Sequence, residues 1–348
     1  MELGIANLPE SDLLELSEHI YSLRDFYSGR KIVIYGGTGF IGTWLSAGLI
    51  KAKLELKLDL DLTIVTRSQK NALEKLGLGA KSITFVQHDF STRPLYSHNI
   101  ADIVIHAATP TNPLTGSMNH LATLEGTINA ADHAKNVRSL NSDKPYVLHL
   151  SSGSIFGRQP LSMRNRLETD KPLLVGNNAY TQAKIEAERI LFDANQRGRV
   201  TLQSPRLFAF AGPLISLSHH YAVGNFLQNG INGEKIKVQG SPLTIRSYVY
   251  PLDLVKILFS LVKLNQYHDI NIGNDLPISM IELATKISNL TSKRGVELMN
   301  PEALPSNYVP SVKNLRQLVW QQDFISLDQA IEKWITWLES TGRGAKGA

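Results

Sequence analysis

"KIVIYGGTGFIGTWL", residues 31–45, runs from a β-rich stretch through four glycines into a helical pattern. Gly36, Gly39 and Gly42 fall three residues apart. Between a strand and a helix each has its own task. The first permits a tight turn, the second lets backbone approach a pyrophosphate, and the third lets the helix pack closely. The helix N-terminus adds N–H donors and the positive end of its dipole. The spacing predicts a dinucleotide-binding turn, with Thr38, Phe40 and Ile41 among its contacts.

The next strand should end in an acid if the ribose 2′-OH is to be held. It reads Val65-Thr66-Arg67-Ser68, with no carboxylate. A carboxylate repels a 2′-phosphate, whereas Arg67 can pair with one. This favours NADP and leaves NAD open.

Outward from the turn the chain alternates β-rich runs with helical patterns. "DLTIVTR" (61–67), "ITFVQHD" (83–89), "ADIVIHAAT" (101–109) and "PYVLHLSS" (145–152) are strand candidates, with a long helix across "GSMNHLATLEGTINAADHAK". Near-continuous apolar strands separated by helices imply α/β architecture, a doubly wound parallel sheet covered on both faces. Upstream, Asp12 and Glu15 suggest a capping box, and Leu13, Leu16, Ile20 and Leu23 recur at helical spacing, which predicts an amphipathic lead-in helix over 12–27. After about residue 205, short strands, helices and Pro-rich loops mix. The expected division is a lead-in at 1–28 and a nucleotide-binding domain at 29–204 that also takes in 245–272. A smaller substrate-binding region at 205–340, contributing to a cleft, and a disordered tail at 341–348 complete it.

Composition narrows the classes. The 348 residues contain no cysteine, which excludes thiolate catalysis, disulfides and cysteine zinc sites and agrees with a cytoplasmic location. Net charge is +5 without a block of Lys and Arg, so no nucleic-acid partner is expected, and the mild positive field suits a phosphorylated small molecule. There is no signal-peptide pattern and no run of eighteen apolar residues, so no membrane partner is expected.

Seven stretches carry a family resemblance: "GGTGFIG", "HDF" (88–90), "DIVIHAAT" (102–109), "LSSGSIFG" (150–157), "YTQAK" (180–184), "PRLFAFAGP" (205–213) and "RSYVYPLDLV" (246–255). Over about residues 29–339 the chain resembles the extended short-chain dehydrogenase/reductases, in particular the NAD-dependent epimerase/dehydratases acting on nucleotide sugars. The resemblance implies a Rossmann-like sheet with a smaller C-terminal substrate-binding region, and a nucleotide-diphosphate sugar as substrate. It also implies a homodimer packed through 116–136 and 179–196.

Site by site, the resemblance assigns Asp89 to the adenine amino group, Phe90 to the adenine ring, and Ala107 and Ala108 to the cofactor cleft. Its catalytic group is Ser152, Tyr180 and Lys184, the last two also touching cofactor. The chemistry asks for these types. A free tyrosine, with pKa about 10, is a poor base at neutral pH, and a nearby ammonium favours the phenolate. Positions i and i+4 share a helix face, and Ser152 would polarise the reacting oxygen. Tyr27 and Lys31 also satisfy YxxxK, so position after "LSSGSIFG" is what selects Tyr180 and Lys184.

In the second half the resemblance assigns Arg246 to a phosphate and Asn225 to the diphosphate, with Ser154 also on the substrate side. His219, His220 and Tyr221 could border the cleft; no carboxylate accompanies them, so no metal site is expected. Two departures matter. Dehydratases of the family typically carry Asp-Glu after the catalytic hydroxyl, and here Gly153 and Ser154 stand there, which disfavours 4,6-dehydration. The usual Asn-x-Tyr-Gly-Pro reads Ala209-Phe210-Ala211-Gly212-Pro213. The reading is therefore an NAD(P)-dependent epimerase or ketoreductase moving hydride at a hexose carbon, most plausibly C4, with Tyr180 as acid/base. The alternatives are a 4,6-dehydratase, a reductase of a non-nucleotide ketone, or a non-catalytic NADP sensor.

Overall fold

The computed structural model describes residues 5–95, 100–109, 117–162, 165–173, 178–217 and 221–342. The chain folds into two units. The first is Met1–Ile155, Pro172–Arg206 and Val255–Ile270; the second is Phe156–Lys171, Leu207–Leu254 and Asn271–Ala348. His219, His220 and residues 343–348 of the expected tail lie outside the described residues.

In the first unit the chain runs α1 (Glu10–Ser22), β1 (Arg30–Tyr35), α2 (Phe40–Glu55), β2 (Leu60–Thr66), α3 (Gln69–Leu76) and β3 (Thr84–Gln87). It continues with β4 (Ile103–His106), α4 (Ser117–Ala134), β5 (Tyr146–His149), α5 (Ala179–Gln196) and β6 (Thr201–Gln203). The strands form one sheet in the order β3-β2-β1-β4-β5-β6, every pair parallel. That is the doubly wound Rossmann order, with its reversal between β1 and β4. Ligands of such sheets sit beyond the carboxyl ends of the strands at that reversal, where the glycine turn and Ala107-Ala108 lie.

The run "IVIH" of β4 is buried at every position, as a strand covered on both faces requires. On one face Ala130, Ala131 and Ala134 of α4 and Ala187 and Leu191 of α5 pack against Val104, Val147 and Leu202. In α2, an uninterrupted run from Gly42 to Ala52 is buried. Gly48 makes room for α1, since a Cβ there would lie 2.7 Å from Leu16 and 2.9 Å from Ile20.

The lead-in helix forms, but its start differs from expectation. It begins at Glu10 after Pro9, carries no side-chain cap, and gives way at Leu23 to a separate turn of helix, Arg24–Tyr27. Asp12 is therefore inside the helix and buried, not a capping residue. Pro9 marks the start two residues early, because its fixed φ of −56° leads directly into the helix. Glu15 instead reaches Lys256 at 2.8 Å.

The second unit has a four-stranded sheet in the order Ile278–Ser279, Ile245–Arg246, Ser306–Tyr308, Gln159–Pro160. A parallel pair, Ile236–Val238 with Val296–Leu298, lies elsewhere in it. Its helices include Ala222–Ile231, Met280–Leu290 and Leu327–Thr341. The latter two start with full capping boxes, Ser279 with Glu282 and Ser326 with Gln329, each satisfying two orphan donors. Thr341, expected in the tail, is the last residue of its helix, and Gly342 caps it in the left-handed conformation.

Candidate active site

The glycine turn is built as its spacing demands. Gly36 has φ +76°, and a Cβ on it would sit 2.9 Å from Ala107 O and Ala108 Cα. The turn and the end of β4 thus approach backbone to backbone. Gly42 faces the turn itself: a Cβ there would lie 2.0 Å from Gly36 O and 2.8 Å from Gly37 Cα. The third glycine is needed because the helix closes onto the turn, more than onto the strand. Gly42→Ala is expected to cost about 3 kcal/mol or more, since backbone cannot yield as a side chain can. Thermal denaturation reads this as a clear loss of Tm; an unchanged Tm would contradict it.

Gly39 caps α2 with no side chain of its own to meet the first N–H groups, and the first turn carries no acid. Such an N-terminus, opened by glycines, suits the pyrophosphate of a dinucleotide. Lys75 of α3 reaches back and donates to Thr38 O at 2.9 Å, tying the turn to the helix after β2. Phe40 and Ile41 open α2, both half-buried. Arg67 is exposed just beyond β2, and Ser68 caps α3 by accepting from Asn71 N at 3.3 Å.

The adenine-side residues take local roles. Asp89 Oδ1 accepts from Ser91 N at 2.9 Å and from Ser91 Oγ at 2.7 Å. Phe90 is buried, its ring 5.0 Å from Tyr35 and 4.8 Å from His88.

The two YxxxK patterns separate cleanly. Tyr27 is fully buried, donates to Phe259 O at 2.8 Å and is followed by an exposed Lys31 on β1. Tyr180 is half-exposed in the first turn of α5, and Lys184 is buried one turn on with Nζ 5.7 Å from the Tyr180 ring. Asn178 caps α5 by accepting from Thr181 N at 2.9 Å. Thr181 Oγ1 donates to Ser154 Oγ at 3.1 Å, and Ser154 N donates to Ser152 Oγ at 3.1 Å. A thread of three hydrogen bonds therefore ties the Ser152 turn to the cap that positions Tyr180. Ser154, expected on the substrate, is also part of this thread.

Beneath the thread Lys184 donates to Leu150 O at 2.5 Å. Burial pulls its pKa down to about 7, and Glu188, one turn further along α5, pulls the other way. Glu188 is itself held: Ser151 Oγ donates to it, and Arg206 lies 3.3 Å from it and 3.4 Å from Asp269. Two histidines complete the surroundings of Lys184. His106 donates from Nε2 to Thr127 O at 3.2 Å and accepts at Nδ1 from Ala108 N at 3.3 Å, which fixes one neutral tautomer. Burial and Lys184 push it down to about 3. His149 lies 4.7 Å from it, ring to ring, and is held well below its ordinary pKa by burial, His106 and Lys184. Thr181, Glu188, Ser151, His106 and His149 escape a sequence reading. Thr181, Ser151 and His106 lie inside motif stretches without any role attached to them, and Glu188 had a local signal in being i+4 from Lys184.

The fold, the glycine cradle and the Ser152–Tyr180–Lys184 arrangement converge with the sequence comparison, in which residues 32–273 match the model of the NAD dependent epimerase/dehydratase family. The chain belongs to this family.

Among its relatives is UDP-glucuronic acid decarboxylase 6 of Arabidopsis thaliana, 28% identical over 81% of this chain and 80% of its own. UDP-glucuronic acid decarboxylase 1 of Danio rerio is 26% identical over 88% of this chain and 72% of its own. Among solved structures, UDP-N-acetylglucosamine 4-epimerase from Methanobrevibacter ruminantium M1 superposes with TM-score 0.74 at 20% identity, covering 90% of this chain and 99% of that one. UDP-glucose 4-epimerase from Thermotoga maritima gives TM-score 0.72 at 16% identity, covering 89% and 99%. Those structures establish the shared Rossmann-like fold. The protein is thus an enzyme of the NAD-dependent epimerase/dehydratase family.

The remaining expected residues belong to the second unit. Asn225 lies half-buried on helix Ala222–Ile231, whose Gly224 packs so tightly that a Cβ would sit 2.3 Å from Ser216 O. Arg246 donates to Ile245 O at 2.9 Å and Ser306 Oγ at 3.3 Å, and lies over the Tyr308 ring at 5.3 Å. Tyr221 is exposed ahead of the same helix as Asn225. Among the described residues no group of three or more histidines or carboxylates could hold a metal, and no helix is long and apolar enough to cross a membrane.

Proposed function

We propose that the enzyme moves a hydride at C4 of the sugar of a nucleotide sugar, as an epimerase or net ketoreductase, with Tyr180 as acid/base. The observation that carries this reading is the Asn178–Thr181–Ser154–Ser152 thread with Lys184 lying under it. It ties the turn that carries Ser152 to the first turn of the helix that carries Tyr180 and Lys184. When bound, the nicotinamide supplies or accepts the hydride. Ser152 Oγ would donate to the carbinol or ketone oxygen, and Tyr180 would take or return its proton. Lys184, when protonated, stabilises the phenolate form. Gly153 and Ser154 offer no carboxylate for 4,6-dehydration. A cytoplasmic homodimer packed through α4 and α5 belongs to the same reading.

A second reading is favoured by the decarboxylase relatives. With a nucleotide-linked uronic acid, a C4 ketone is β to the carboxylate. The C5–C6 bond can then break, CO2 leaves, and C5 takes up a proton. The first half of the reaction, and the work of Tyr180, is the same. Purified enzyme incubated with a panel of UDP-hexoses, UDP-glucuronic acid and 4-keto sugar nucleotides separates these outcomes. Isomerisation without net cofactor change supports epimerisation, loss of NADPH absorbance supports reduction, and release of CO2 supports decarboxylation. No turnover on any member would overturn the proposal.

On cofactor choice, Arg67 is read as a partner of the 2′-phosphate. Arg67→Glu is expected to weaken NADPH binding roughly 10- to 100-fold, the range of a charge-assisted hydrogen bond, and to leave NADH nearly unchanged. Equal affinities of the variant and parent for NADPH would contradict it.

A further inference from the structure

Within the second unit a second arginine accompanies Arg246. In the four-stranded sheet, Arg246 pairs with Tyr308 in parallel register, and on the other side Asn307 pairs with Gln159 and Ser306 with Pro160. Continuing that antiparallel register by one residue sets Arg158 opposite Tyr308. Arg246 and Tyr308, with Arg158 just ahead of the third strand, then fall in one row, and the alternation of the pleat carries all three on the same face. The two guanidinium groups lean the same way along the central strand. Arg246 Nη1 reaches Ser306 Oγ at 3.3 Å, and Arg158 Nη2 reaches Leu304 O at 2.6 Å, two residues away.

Nothing negative answers these charges: no carboxylate pairs with either arginine among the described residues. Arg246 is half-buried, and burial, with Arg158 adding to it, draws its pKa below the ordinary guanidinium range against Tyr248 and Tyr308. Arg158 is exposed, next to Gly157 at φ +69°. Like charges directed at one strand end raise each other's energy, and a bound dianion relieves both at once. Each guanidinium keeps most of its five donors for a ligand. The donors are planar forks, which suit phosphate oxygens.

We propose that Arg158 is a second anion anchor, gripping a diphosphate jointly with Arg246 across Tyr308. This rests on the nucleotide-sugar reading and extends it to a residue outside the sequence motifs. The competing role is structural, Arg158 merely pinning the loop at Leu304.

Calorimetric titration of the full-length enzyme with UDP, inorganic pyrophosphate and glucuronate separates the roles, with Arg158→Met and Arg158→Lys as variants. Arg158→Met is expected to weaken UDP and pyrophosphate at least 10-fold, Arg158→Lys by less, and NADPH not at all. A change in UDP and pyrophosphate affinity below 2-fold would overturn the anchor, as would a selective loss of glucuronate binding. If Arg158→Met does not fold, Arg158→Lys alone decides by the same 2-fold limit. If pyrophosphate binds the parent and is weakened in the variant while UDP does not bind, the anchor stands and the nucleotide-sugar reading falls. If neither ligand binds the parent, both fall.

Discussion

Tyr180→Phe is expected to lower kcat by about 10²- to 10⁴-fold, the usual worth of a positioned acid/base. The loss should fall on kcat, with little change in cofactor affinity. The phenol oxygen is all that the substitution removes, and the anchors around it belong to other residues. The three bonds from Asn178 to Thr181, Thr181 to Ser154 and Ser154 to Ser152 are made by groups the substitution leaves in place. Single-turnover kinetics on whichever panel substrate the parent accepts reads the result. Full turnover by the variant would remove Tyr180 from the mechanism, whatever the substrate.

Lys184→Met is expected to abolish turnover and to make the protein more stable. Lys184 is buried, and its pKa of about 7 in the fold compares with an ordinary 10.5. Between those values the unfolded chain holds a proton that the folded one lacks, so stability rises with pH from about 7 to 10.5. Below about 7 the fold carries the full cost of the buried charge, up to about 5 kcal/mol at about 1.36 kcal/mol per pKa unit. Methionine fills similar space without that charge. The gain in Tm should therefore be large at about pH 6 and vanish toward pH 10.5. A variant less stable than the parent at that lower pH would show that the ammonium contributes more through Leu150 O than burial takes away.

That cost explains why Glu188 is where it is. Its carboxylate favours protonated Lys184, and Ser151 and Arg206 keep it in place. The two neighbouring histidines, neutral at pH 7, add no charge of their own. The site is arranged to keep one ammonium alive in a dry setting.

Much of this was legible in the sequence, for physical reasons. Gly36 and Gly42 are dictated by backbone-to-backbone approach, which no other residue tolerates, so their spacing carries the fold. The four apolar runs declared a parallel sheet because both of its faces are covered. Tyr180 could be told from Tyr27 only by its place after a strand, and the structure gives the two opposite settings. What the sequence concealed depends on pairing between distant elements. Glu188 meets Ser151 and Arg206 across α5 and the sheet, and Arg158 comes into line with Tyr308 only when the strand register is continued by one residue. His149 reads as one more residue of an apolar strand. Decarboxylation, too, left no mark in the motifs considered, since it shares the C4 chemistry. The lead-in helix starts earlier than its sequence suggests because the plausible Asp-x-x-Glu cap lies two residues inside the start that Pro9 sets.

The most direct test of the central claim follows the hydrogen itself. The enzyme is loaded with oxidised cofactor and incubated with UDP-glucose, UDP-N-acetylglucosamine and UDP-glucuronic acid, each deuterated at C4. The cofactor is then recovered under partial turnover for mass spectrometry. Deuterium is expected in the nicotinamide for at least one of these substrates, and none with Tyr180→Phe. Product formed with no deuterium passing through the cofactor would contradict the claim.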